Sequence, residues 1–545
     1  MPGVTTSAAS MRPSTYSMRN QIGYKVRNFA HYGQPTIEIT LTKGQGVHSN
    51  YATSYSTMDT IEGTVAITAP HDTRFEDIEI AFLGTSNVFV DKLTTTPSVT
   101  GRTEATHRFL ALKQPISESD LPCPRKLIAG KTYVFPFTFT VPLHLLPRAC
   151  THKVGSDHIH DMHMLLPPSL GDPELAGFGG TLLDDLAPEM SKIVYAIKAR
   201  IRQYREADGS ISVLAEKQRK VRVKPAYEEQ PPMNLNPSDS EYRVRIEKSI
   251  RKGLFKGKLG TLVAQGPQPK ALVIPGARTK DNGLITTKAK IFLRFDPADD
   301  SATPPPLGSL ATKLRVATYY SSAPRHGLPS RSALGFDVTQ GLYQETLSLS
   351  SMCIASAQWT KQTADANPTS EDTIRRDSAF SDCSTSGVED SNISGIPLAS
   401  KNYRGANFYT ATILVPVTLP KNRSFVPTFH SCLISRVYTL SLTLSVHAPG
   451  VTDPSLHLKI PIQIAADGST AGNENARARR QESLVASEAD AMFTPRSVAP
   501  PPNFDGGPGV PAASVEHSDL PPEYEVSAPR LERHGHVHTS FSVAV

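Results

Sequence analysis

The densest group of metal-ligating side chains is Cys150, His152, His158, His160 and His163, with Asp157 and Asp161 among them. Thiolate, imidazole and carboxylate are the ligand types that zinc takes. In an extended segment His158 and His160 would share a face. No C-x-x-C pair and no H-E-x-x-H helix accompanies them, so the stretch reads as a polar loop. It yields no catalytic residue, no metal and no cofactor; a metal-dependent enzyme using residues 150–163 is kept as an alternative. There is no Gly-rich phosphate loop and no G-x-S-x-G elbow to support enzymatic work.

A second constellation is cationic. Lys198, Arg200 and Arg202 alternate with Ile197 and Ile201, and Lys220, Arg222 and Lys224 alternate with Val221 and Val223. Alternation turns each set away from the apolar side of a strand. If the two strands pair across Asp208-Gly209, six cations share one solvent face. Like charges opposed across a sheet repel, so an acidic or phosphorylated peptide, or lipid phosphates, would suit this face. The plainer reading is a solvated basic face relieved by Glu216 and by ionic screening. A further basic run, Arg243 to Lys258, carries Ile246, Ile250 and Leu254 at helical spacing. It reads as a short helix or strand at a junction, with an amphipathic membrane-surface segment as its alternative.

Two short polar motifs stand in stretches without apolar periodicity. Arg375-Arg376-Asp377-Ser378 fits a basic-directed phosphorylation site at Ser378. Leu520-Pro521-Pro522-Glu523-Tyr524 is a P-P-x-Y pattern. Adjacent prolines pre-set a polyproline II turn, so little entropy is lost on docking. Tyr524 lies three positions after Pro521, on the same side of a helix with three residues per turn. This is the pattern that WW domains read in aromatic-lined grooves.

The elements that must carry these groups alternate with a period of two. Ile37/Ile39/Leu41, Ile78/Ile80/Phe82 (stopped by Gly84), Tyr133/Phe135/Phe137/Phe139/Val141 and Ile193/Tyr195/Ile197 predict half-buried strands. Pro136 predicts an edge strand or a bulge. Around Lys224 the pattern stops, and Pro225, Pro231, Pro232 and Pro237 mark a linker. It resumes in Leu259/Thr261/Val263, Ile291/Leu293/Phe295, Tyr409 to Leu419, Tyr438 to Val446 and Leu456 to Ile464. The expectation is an all-β protein of two consecutive β-sandwiches. They occupy residues 31–224 and 241–465, joined by a linker over 225–240. Disorder is expected over 1–30, in an insertion over 361–400, and in a tail over 466–545. The roughly 55 residues from Ile464 to Leu520 would as coil span about 40 Å. Trp359, the single tryptophan, reads as a cap on the core.

Bulk properties narrow the class. A net charge of +6 over 545 residues is too small to imply a nucleic-acid binder. The five cysteines are odd in number and scattered, which argues against a disulfide scaffold and for a reducing compartment. No apolar run of spanning length or secretory leader is visible, so a cytoplasmic protein is expected.

With these residues in view the chain resembles the α-arrestins, the arrestin-related trafficking adaptors. Ile78-Glu-Ile-Ala-Phe-Leu-Gly84, Tyr133-Val-Phe-Pro-Phe-Thr-Phe-Thr-Val-Pro142 and Leu166-Pro-Pro-Ser-Leu-Gly171 are similar to the amino-half arrestin pattern. Val426-Pro-Thr-Phe-His-Ser-Cys-Leu-Ile-Ser-Arg-Val-Tyr438 resembles the carboxyl-half one and is the most specific of the set. The likeness covers roughly residues 35–465 and implies arrestin-like N- and C-terminal domains. It also implies that Leu520, Pro521, Pro522 and Tyr524 recruit a HECT-type ubiquitin ligase through its WW domains. The sandwiches would hold the cytosolic part of a membrane transporter or receptor, marking it for ubiquitination and endocytosis. Recruitment to plasma membrane and endosomes, with peripheral contact to anionic lipid, follows from the same resemblance. A signalling scaffold that does not trigger cargo degradation is the alternative within the fold.

Overall fold

The computed structural model of the protein describes residues 33–42, 54–91, 101–172, 183–205, 209–233, 235, 241–253, 257–276, 283–335, 337–363, 396–447 and 454–492. Alternation becomes sheet in the expected places. In the amino-terminal lobe a three-stranded antiparallel sheet runs in the order Thr36–Leu41, Thr60–Thr68, Thr132–Thr140. A five-stranded sheet runs Ser54–Tyr55, Ile211–Val223, Ser191–Tyr204, Asp77–Asp91, Arg102–Lys113. Their apolar faces close one core, with Phe82, Phe137, Phe139 and Tyr195 at its centre. Each such buried ring or branched chain contributes about 1.5–3 kcal/mol by leaving water. Pro136 sits in the Thr132–Thr140 strand at the edge of its sheet, where a missing N–H costs no ladder bond.

The carboxyl-terminal lobe repeats the plan. One sheet runs Arg245–Arg251, Lys258–Gln265, Thr286–Pro297, Asn407–Thr418, Thr360–Thr363. The other runs Gln340–Cys353, Leu307–Ser321, Ile434–Val446, Phe429–His430, with Ser455–Ile462 also paired to Ile434–Val446. Leu293, Phe295, Leu314, Val415, Leu440 and Ile460, all fully buried, lie in its core. Trp359 packs against that core, half-buried. The basic run from Arg243 becomes the strand Arg245–Arg251, paired to Lys258–Gln265.

Several expectations are corrected. The strand predicted to stop at Gly84 continues to Asp91. Gly84 is a packing site: a Cβ there would lie 2.4 Å from the Phe109 ring, and the pairing register shifts at the next residue. The insertion is shorter than 361–400. Residues 361–363 belong to a strand, and Ser400 donates its backbone N–H to Asp296 at 2.7 Å. The linker is pinned at its start, where Tyr227 exchanges backbone hydrogen bonds with Ala466. Its hydroxyl donates to the Leu166 carbonyl at 3.0 Å.

The largest difference lies beyond Ala466, where order was expected to end. Thr470–Met492 is an α-helix. Ser469 precedes it, and its hydroxyl oxygen accepts from the Gly472 N–H at 2.9 Å, while the same hydroxyl donates to Asp59. Asn475 Nδ2 donates to the Met58 carbonyl at 3.0 Å. The helix has no apolar stripe for periodicity to reveal; its Ala, Arg, Glu and Gln content supplies the propensity. A helix of 23 residues is a rod of about 34 Å rather than coil. Among the described residues no helix is long and apolar enough to cross a membrane. The chain separates into two compact units, Met1–Leu484 and Val485–Val545, and both lobes lie in the first.

Candidate functional site

The basic face forms as alternation requires. Ser191–Tyr204 and Ile211–Val223 pair antiparallel across the turn at Gly209, whose φ is +66°. The register decides the electrostatics. Arg200 stands opposite Glu216 on one side and Glu79 on the other, while Lys198 faces Gln218 and Lys220 faces Ala196. Lys198 and Arg200 reach Glu216 at 2.9 and 3.6 Å. Arg202 pairs with Glu79 and with Asp77 at 3.7 Å. No cation of one strand stands directly opposite a cation of the other in this register, and the face supplies its own carboxylates.

The other three cations lead inward. Lys220 pairs with Asp172 at 2.9 Å. Arg222 Nη2 donates to the Ser424 hydroxyl of the carboxyl-terminal lobe at 2.8 Å, and burial lowers its pKa. Lys224 follows with its pKa pushed down to about 8, by burial and then by the Arg222 charge. Arg222 therefore belongs to the seam between the lobes.

That seam is built by two segments. From the amino-terminal lobe, Asp184 pairs with Arg423 of the carboxyl-terminal lobe at 2.9 Å, and Leu186 is buried in the core of that other lobe. Leu186 holds a φ of +58°, uncommon for a branched side chain. From the other side comes Val426 to Tyr438. Val426, Phe429, Leu433 and Ile434 pack into the amino-terminal core. Arg436, fully buried, donates from Nη1 and Nη2 to the Asp185 and Leu186 carbonyls at 3.1 and 3.2 Å. Tyr438 donates its hydroxyl to the Val426 carbonyl at 2.7 Å, closing the segment on itself. An apolar groove of about 500 Å³ opens beside it, lined by Met162, Leu165, Tyr227, Met233, Phe429 and Tyr438.

With this two-lobed geometry in place, comparison adds a likeness over part of the first lobe. Residues 47–158 match the family model of the arrestin (or S-antigen) N-terminal domain. No curated protein matches the chain. The amino-terminal lobe is arrestin-like, and it carries the basic strands Ser191–Tyr204 and Ile211–Val223 just beyond the matched segment. The arrestin match supports a role as adaptor or scaffold.

The Cys/His stretch is not a plain polar loop. It ends the matched segment and continues into the helix Asp157–Met164, capped by Ser156, whose hydroxyl accepts from the Ile159 N–H at 3.4 Å. The helix turns His163 inward, to 2% exposure. Cys150 follows a 3-10 turn over Pro147–Ala149. A fourth group arrives from the opposite lobe, Cys432 in the Val426–Tyr438 segment. Linear spacing held no hint of it, because scattered cysteines converge only when the lobes dock. The ligand atoms of Cys150, His152, His163 and Cys432 lie within 4.8 Å of one another. Burial raises the Cys150 thiol, and it pushes Cys432, beside Cys150, up to about 12. His163 is lowered to about 4, by burial and then by the neighbouring His152 and Arg325 charges. His158 lines the groove, while His160 lies outside the group of four. Ser378 and Leu520, Pro521, Pro522 and Tyr524 lie outside the described residues.

Proposed function

We propose that the protein is an adaptor that brings a HECT-type ubiquitin ligase to a membrane transporter or receptor. The P-P-x-Y stretch Leu520-Pro521-Pro522-Glu523-Tyr524 would be read by the ligase's WW domains, and the paired lobes would hold the cargo. The observation that carries this reading is the occurrence of that stretch on the same chain as an arrestin-like lobe. The two features serve different partners, as an adaptor requires. Lys198, Arg200 and Arg202 offer the surface for an acidic cargo tail or lipid phosphate, exchanging their carboxylates for the partner's. Ser378 would be a phosphorylation point that adjusts this.

The test is a pull-down of full-length protein with isolated WW domains, wild type against Pro522→Ala/Tyr524→Ala. Each anchor lost from a groove of this kind costs about 1–2 kcal/mol, so the double variant should bind at least about tenfold more weakly. Equal binding removes the ligase reading. If WW binding is lost while cargo turnover in cells stays unchanged, the protein is a scaffold that does not drive degradation. Arg200→Glu should weaken binding to acidic liposomes or an acidic cargo peptide, and unchanged binding removes the basic-face assignment.

A further inference from the structure

We infer that Cys150, His152, His163 and Cys432 bind one zinc ion in a closed tetrahedral site that staples the two lobes together. This does not rest on the adaptor reading.

Distances are the first argument. Four ligands on a tetrahedron with bonds of about 2.0–2.3 Å are separated by about 3.3–3.8 Å along its edges. Cys150 Sγ lies 3.3 Å from His152 Nε2 and 3.7 Å from His163 Nδ1. The whole set falls within 4.8 Å. Small inward movements of the side chains would complete the shell.

Tautomer is the second. His152 Nδ1 lies 3.2 Å from the Lys153 carbonyl, which can only accept, so Nδ1 carries the proton. Nε2 is then the bare nitrogen, and it is the one turned to Cys150. A ligating histidine held by its other nitrogen on a carbonyl is the usual outer-shell arrangement. His326 Nδ1 donates to the same carbonyl at 2.6 Å.

Burial and charge are the third. Cys150, His163 and Cys432 are 5%, 2% and 4% exposed. Arg325, 4% exposed, donates its backbone N–H to the Cys432 carbonyl at 3.0 Å. Its three guanidinium nitrogens have no hydrogen-bond partner among the described residues. Metal binding would release the two thiol protons to solvent and leave two thiolates, giving Arg325 negative neighbours while the ion and its ligands sum to zero charge.

Two cysteines and two histidines form a closed set with no position for a substrate water, which makes the site structural rather than hydrolytic. Three ligands come from one lobe and Cys432 from the other, so the ion would join them across the seam. A Cys150–Cys432 disulfide is the competing chemistry.

Full-length protein, expressed with zinc and purified without chelator, should carry about one zinc per chain by elemental analysis. Cobalt-loaded protein should show tetrahedral d–d bands with thiolate charge transfer. His152→Ala, at the half-exposed ligand, should lower zinc affinity at least about tenfold while keeping the far-ultraviolet circular dichroism. Cys432→Ser should do the same, and Cys432→His, which restores a fourth ligand, should recover binding with weaker charge transfer. Wild-type protein with less than about 0.1 zinc that also refuses cobalt overturns the inference. So does zinc retained in both His152→Ala and Cys432→Ser, another metal in zinc's place, or an intact mass two hydrogens light with the Cys150 and Cys432 peptides joined.

Discussion

The outer face of Ser191–Tyr204 and the seam between the lobes both carry cations, and they treat them in opposite ways. On the face, Lys198, Arg200 and Arg202 are half-buried and each meets a carboxylate from a neighbouring strand. In the seam, Arg436 is fully buried and meets carbonyl dipoles instead, and Arg325 meets no acceptor among the described residues. Water and counter-charge make the first group exchangeable, so a partner's anion can replace Glu216 at small cost. The second has no water to fall back on, so its geometry is bound to the docking of the lobes. A surface suited to changing partners and a joint suited to keeping one arrangement follow from solvent access alone.

The comparison breaks most readily at Arg436. Arg436→Met strips donors from the part-buried Asp185 and buried Leu186 carbonyls, each worth about 1–3 kcal/mol when left bare, and should be the most destabilising change in urea unfolding. A loss below about 1 kcal/mol would mean that the seam tolerates exchange as the face does. Leu186→Ala removes a side chain that one lobe buries in the other's core and should cost about 2–4 kcal/mol. An effect the size of an exposed substitution would show that the lobes are held elsewhere.

Lys224 sharpens the boundary between the two regions. Its folded pKa of about 8 lies below the usual 10.5. Between those values the unfolded chain holds a proton that the folded one does not, so its contribution to stability rises with pH over that window. Lys224→Met should flatten that rise in pH-dependent denaturation and raise stability near neutrality. A pH profile identical to wild type would place Lys224 with the exposed group. Glu216→Gln should change stability least, by under about 1 kcal/mol, because its carboxylate is half-exposed and solvent screens its ion pairs. Binding to acidic liposomes should nonetheless increase, since the cations then lack their internal partner; unchanged binding would mean the carboxylate never competes with the ligand.

What could be read without coordinates was whatever depends on neighbours in the chain. Alternation placed Phe135, Phe137 and Phe139 on one side of a strand and Lys198, Arg200 and Arg202 on the other, because successive residues of a strand must point oppositely. Pro136 pointed to an edge or a bulge for a reason just as local, a missing donor, and the sheet order selects the edge. The helix Thr470–Met492 escaped because its polar surface offers no periodic stripe, and its start depends on Asp59 and Met58 in another part of the chain.

Pairing across sequence distance belonged to the fold. Glu79 and Glu216 meet Arg200 only once three strands are in register. Cys432 meets Cys150, His152 and His163 only once two cores have formed and docked. The sequence specifies which residues seek burial through local, repeating geometry. Which buried groups then face one another is a property of the closed structure, since chain connectivity leaves that distance open until packing sets it.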